Sequence, residues 1–282
     1  MKDKLVTGAL LLALVMMAGS AAAAPSMMGG RLDTPGTQKT LTLPPAADHS
    51  PVISLGTAVD PQSGKTVSGY AIVHYAKGGV PGKPDKPGGG AVCYAFISKG
   101  AVWKTVEPWL INPANNGGLS VNFPFPNMTT DIAKWEDAAD GALDNGNSVN
   151  ILGNGTETSD TLEADLVTPD GDNEVYFADI SDPGAIGVTI VWGIFGGPPQ
   201  GRELVEWDQV YDDADYNWSM YGEADMMDFE NIATHELGHS IGLSDLYDSA
   251  CSEQTMYGYA DYGETKKQTL ESGDIMGADK LY

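Results

Sequence analysis

Basic residues are scarce in this chain: 15 Lys and Arg stand against 39 Asp and Glu in 282 residues, a formal charge of −24. A surface of that sign repels nucleic acid and anionic lipid, and no basic patch interrupts it, so no nucleic-acid partner is expected. Long apolar runs are scarce as well. Beyond residue 24 no segment is long and apolar enough to cross a membrane. Cysteine is limited to Cys93 and Cys251, and histidine to His49, His74, His235 and His239.

The first 24 residues have the form of an export signal. Met1 to Lys4 is a short basic start, Leu5 to Ala18 an uncharged apolar run, and Ala21 to Ala24 supply small residues for cleavage. The mature chain is expected to start near Pro25 and to be secreted or extracellular. A retained N-terminal anchor over Leu5 to Ala24, holding the protein at the cell surface, is the alternative, because that run approaches a minimal membrane span. Export places the two cysteines in an oxidising compartment, where an even count favours a bridge between Cys93 and Cys251.

From Pro25 to Gly90 the chain is rich in Gly, Pro, Ser and Thr and closes with GGVPGKPDKPGGG. This segment is expected to be a propeptide or a weakly ordered arm with two strands, over the apolar runs Pro51 to Val59 and Ser68 to Tyr75. His49 and His74 fall there without a metal-spaced partner and receive no role. After Gly90 the patterns strengthen: 91–97, 101–106, 174–178, 186–195 and 203–211 read as strands, 131–143 and 225–240 as helices. About 190 residues is ample for one core. Residues 91–282 are therefore expected to form one monomeric domain of α+β class, a sandwich of α/β type with helices covering a sheet.

The chemistry concentrates in HELGHSIGLSD, residues 235–245. Residues four apart share one face of a helix, so His235 and His239 can offer both imidazoles to one metal ion. Glu236 projects beside that ion, where a carboxylate acts as general base on a metal-activated water and then protonates the leaving amine. Gly242 can take a positive φ, end the helix and send the chain back toward the metal. Asp245 then arrives as the third ligand, an oxygen donor that zinc accepts. Upstream, Asp225 is the expected N-cap, and Met226, Phe229, Ile232, Leu237 and Ile241 recur at helical spacing. Gly238, a poor helix former, is expected to admit the close approach of another backbone. The competing function is a non-catalytic zinc-containing surface or binding protein. Glu236 argues against it, because a structural zinc fills all four positions and needs no base.

HELGHSIGLSD followed by TMYGY, residues 255–259, resembles the metzincin clan of metallopeptidases, whose usual form is HExxHxxGxxH with a methionine turn beneath the metal. Within the clan the chain resembles the matrixins, through the Met256-Tyr257 pair, the closing LESGDIMGADKLY and the KWEDAAD stretch around Trp135. Two features depart from that pattern. Asp245 stands where matrixins carry a third histidine and is similar to the small bacterial secreted peptidases of the snapalysin type, and no PRCGxPD cysteine-switch motif is present.

The resemblance implies a metzincin-like mixed twisted sheet with an active-site helix and a C-terminal helix, one catalytic zinc, and endopeptidase action on protein or peptide substrates. It makes Met256 an apolar floor under the histidine ligands. Tyr257 or Tyr259 is the candidate phenol to support the oxyanion of the tetrahedral intermediate. Cys93 has an alternative to the bridge, as a thiolate on the open zinc position before activation. The acidic residues raise calcium as a second ion, with Asp170, Asp172 and Glu174 in TPDGDNE and Asp212, Asp213 and Asp215 as ligands. A solvated acidic face is the alternative for these.

Overall fold

The structure, a computed structural model, describes residues 39–45, 50–78 and 92–282. The segment read as an export signal and His49 lie outside these. Strands β1 (Thr40–Leu41), β2 (Val52–Val59) and β3 (Thr66–Ala76) come first, then β4 (Val102–Trp103) and β5 (Trp109–Asn112). Helix α1 (Pro124–Ala138), β6 (Gly155–Glu157), β7 (Asn173–Ile180), β8 (Ala185–Ile194) and β9 (Glu203–Asp212) follow. The short pair β10 (Trp218–Ser219) and β11 (Met227–Asp228) leads into α2 (Phe229–Ser240), and β12 (Tyr259–Ala260) and α3 (Ser272–Leu281) close the chain. Among the described residues no helix is long and apolar enough to cross a membrane.

The main sheet is mixed, in the order β12-β3-β8-β9-β7-β5-β6. Strands β9, β7, β5 and β6 run parallel, while β8 is antiparallel to both β9 and β3. The class is α+β, with helices on one face of the sheet. Strand β8 is apolar almost throughout and buried along nearly its whole length, as a strand covered on both faces must be.

The two strands expected before residue 91 form as β2 and β3, and β3 pairs with β8 from Ser68 to Tyr75 and with β2 on its other edge, so residues 66–76 belong to the main sheet. The side chains of β3 alternate, Val67, Ala71, Val73 and Tyr75 packing with Val188, Ile190 and Trp192 on one face while Ile72 joins the helix-side core. The Gly/Pro-rich composition that suggested an arm belongs to the flanks of this segment, whereas 52–59 and 66–76 carry strand alternation. The sheet therefore begins well before residue 91.

Other boundaries shift for local reasons. Of the strand expected over 91–97, the described residues 92–97 form only an isolated bridge, Phe96 with Leu243, and 101–106 reduces to the two residues of β4. Helix α1 starts seven residues early, with Pro124 in its first turn, where a missing N–H costs nothing. The N-cap of α2 is Asp228 and not Asp225: Met227 and Asp228 are extended in β11, so the helix cannot begin before Phe229, and the Asp228 carboxylate accepts the Asn231 N–H. Two indoles then peg α2 in place. Trp135 donates to the Thr234 carbonyl at 2.9 Å and Trp103 to that of Ser240 at 2.8 Å.

Cys93 and Cys251 are joined, S–S 2.02 Å, across 158 positions of sequence. In the chain-entropy model a loop of that size is worth roughly 4–5 kcal/mol. The bridge also removes Cys93 as a zinc thiolate.

Candidate metal centre

Helix α2 ends as its sequence suggests. Gly242 has φ +106°, its N–H bonds to the His239 carbonyl at 2.9 Å, and the Leu243 N–H reaches back to the Gly238 carbonyl at 2.9 Å. This paired closure turns the chain under the last helical turn. Asp245 is thereby delivered to the histidines, Oδ1 lying 3.1 Å from His235 Nε2 and 3.5 Å from His239 Nε2.

The other ring nitrogens are already committed. His235 Nδ1 donates to the Thr255 carbonyl at 2.7 Å and His239 Nδ1 to the Leu243 carbonyl at 3.0 Å. Each bond fixes the tautomer with its lone pair on Nε2, facing Asp245. His235 Nε2, His239 Nε2 and Asp245 Oδ1 are buried and have no hydrogen-bond partner. Three enclosed acceptors turned on one another are costly unless a cation sits among them, and two imidazoles with one carboxylate are a zinc donor set. The three groups therefore fit the metal.

Residues 203–282, from β9 to the end of α3, match the matrixin family model. From β9 to the end of α3 the chain is thus similar to the matrixins. Metalloendoproteinase 2-MMP of Arabidopsis thaliana is 33% identical over 92 residues, which are 30% of this chain and 21% of that protein. The chain thus spans about one fifth of the length of the curated relative it matches.

The matrixin-like methionine turn sits against the ligand helix. Met256 is buried, and a Cβ at position 238 would run into its Sδ and into the Trp135 ring. Gly238 is thus required by two side chains, and not by the approach of another backbone. Helix α3 holds the turn from below, the Asp274 carboxylate accepting the Thr255 and Met256 N–H groups at 2.8 and 3.1 Å. Thr255 in turn orients His235, so the C-terminal helix reaches the metal ligands through two hydrogen bonds.

Glu236 lies beside the ligand set, fully buried, and burial pushes its carboxyl up to about 7. Three side chains that the sequence did not point to surround Glu236. Thr189 Oγ1 donates to Oε2 at 2.5 Å, and His74 Nδ1 lies 3.1 Å from Oε1, with its ring stacked 3.9 Å from that of His235. Lys267, fully buried, places Nζ 3.2 Å from His74 Nε2 and also bonds to the Tyr257 carbonyl. The chain of donors runs from Lys267 through His74 to Glu236. The scarcity of histidine was the only signal that could have drawn attention to His74; Thr189 and Lys267 carried none.

The Tyr247 hydroxyl donates to a ligand, reaching Asp245 Oδ2 at 2.9 Å. Tyr257 and Tyr259 pack edge to face, ring centroids 5.8 Å apart, and Tyr259 packs likewise on Tyr247 at 5.4 Å.

The acidic residues expected to gather around calcium are dispersed among backbone roles. Asp212 accepts from the N–H groups of Ile180, Ala214 and Asp215, Asp213 from that of Asn116, and Glu174 from that of Glu163. Asp170 caps the N–H of Asp172. The acidic group that does converge is Asp165, Asp170 and Glu206, one oxygen of each lying within 4.8 Å of the others. Glu206 is 1% exposed, and its Oε1, like Asp165 Oδ2, is buried without a hydrogen-bond partner.

Proposed function

We propose that the protein is a secreted zinc endopeptidase that hydrolyses internal peptide bonds of protein or peptide substrates. The observation that carries this is the buried carboxylate of Glu236 beside three convergent, unpaired ligand atoms, an arrangement a purely structural ion does not require. His235, His239 and Asp245 would hold the metal. When bound, zinc supplies a Lewis acid that acidifies water and polarises a peptide carbonyl. Glu236 takes the proton of the attacking water, keeps it in the enclosed site and passes it to the amine as the C–N bond breaks. Thr189 holds one oxygen of that carboxylate, and Tyr247 orients Asp245. Tyr257 or Tyr259 supports the oxyanion in this proposal. The export signal and the Cys93–Cys251 bridge support an extracellular site of action.

The test is cleavage of a fluorescently labelled unfolded protein by the zinc-loaded chain, both as secreted and after cutting between residues 78 and 92. At least one form is expected to cleave, to stop on addition of a zinc chelator and to recover with zinc. Zinc-loaded protein inert in both forms would sink the peptidase.

Calcium enters the same proposal at Asp165, Asp170 and Glu206. Burial pushes the Glu206 carboxyl up, and a cation there would replace the proton that burial otherwise favours. A ligand at a hundred times its dissociation constant stabilises by about 2.7 kcal/mol, worth roughly 5–10 °C in Tm for a domain of this size. Such a rise is expected with calcium over a calcium chelator, and its loss in Glu206→Gln. Equal Tm values with and without calcium count against the site.

A further inference from the structure

We infer that β3 is a built-in occupant of the peptide-binding cleft, which keeps the intact chain latent by setting His74 over Glu236; this rests on the peptidase reading above. The catalytic groups are enclosed: His235, Glu236 and His239 are 0% exposed and Asp245 is 7% exposed. A peptide carbonyl and its attacking water must come within hydrogen-bond distance of Glu236. The space beside that carboxylate is already filled. One of its oxygens engages Thr189, and the other faces the imidazole of His74, itself 1% exposed and stacked on His235.

Strand β3 is held there as a peptide would be. Residues 68–75 run antiparallel to β8, and Tyr75 and Ala76 run parallel to Tyr259 and Ala260 of β12, just after the methionine turn. Main-chain hydrogen bonds on both sides grip an extended chain whatever its sequence, which is how a sheet edge receives a foreign segment. Withdrawal of β3 would leave unpaired edges on β8 and β12, one on each side of Glu236. An extended polypeptide can add only one strand between them, so β3 and a substrate compete for one place. The His74 side chain fills a slot that ends at the Lys267 ammonium and the Tyr257 carbonyl, where a substrate side chain would enter.

The device needs no thiol. Both cysteines are tied in the bridge. The occupant belongs to the same chain as the site, so its effective concentration stays high until the chain between them is cut.

The experiment uses the full chain with a site-specific protease sequence placed between residues 79 and 91. Two rates are read before and after cutting: transfer of zinc to a chromophoric chelator and cleavage of a labelled unfolded protein. Cutting and releasing the N-terminal fragment is expected to raise both, cleavage by a hundredfold or more. An intact chain that cleaves as fast as the cut one overturns the inference while leaving the peptidase standing. Faster zinc transfer on cutting with no cleavage by either form upholds the cover and refutes the peptidase. Because β3 also packs in the core, His74→Ala in the uncut chain supplies a second measurement. With circular dichroism and Tm near those of the parent, it is expected to transfer zinc at least tenfold faster; an unchanged rate overturns the inference. A peptide of residues 66–76 added to the cut enzyme should inhibit it, and the same peptide with Ala for His74 should inhibit less.

Discussion

Glu236→Gln is expected to leave zinc bound and the sheet folded while lowering peptide cleavage by roughly 10²–10⁴-fold, the usual contribution of a positioned general base. The substitution keeps the shape of the side chain. Its amide oxygen can still accept the Thr189 hydroxyl, and no ligand atom is touched, since the metal triad is His235, His239 and Asp245. The change removes only the capacity to take a proton from water and return it to the leaving amine. Zinc content by atomic emission and kcat/KM on a fluorogenic peptide, both on the cut chain, separate these effects. A variant that cleaves at the parental rate would show that Glu236 is not the base.

Asp245→Ala is expected to lower zinc affinity well beyond the roughly 10–100-fold that loss of an outer partner costs, and Tyr247→Phe to fall within that range. Asp245 supplies the oxygen nearest both imidazole lone pairs, whereas Tyr247 acts only through its 2.9 Å hydrogen bond to the far carboxylate oxygen. The first variant also leaves two buried Nε2 atoms facing a void, which adds a desolvation penalty to the lost ligand bond. Competition with a chromophoric chelator of known affinity orders the three proteins. Parental affinity in Asp245→Ala would remove the aspartate from the ligand set, and equal losses in the two variants would mean that Tyr247 is itself a ligand.

The convergence of His235, His239 and Asp245 was legible in the sequence, because local geometry decides it. A helix places His235 and His239 on one face, and Gly242 at positive φ returns the chain so that Asp245 meets them. No distant contact is needed to specify that turn. The pairing of Cys93 with Cys251 was legible for a different reason, since two cysteines in one chain have a single way to combine within it.

Tertiary structure alone decided what surrounds this nucleus. His74 is 162 positions from Glu236, and Lys267 is 193 from His74. Strand alternation over 66–76 says which side chains share a face, but not which strand will be the neighbour or in what register, because pairing is set by complementarity between segments far apart in the chain. The same holds for the acidic residues, whose density along the sequence suggested Asp212, Asp213 and Asp215, while the sheet and its loops brought Asp165 and Asp170 to Glu206. A helix and its cap are written in neighbouring residues. The partner that lies across a cleft is chosen only when separate strands find one another, and so His74 came to rest on Glu236 with nothing in its own vicinity to announce it.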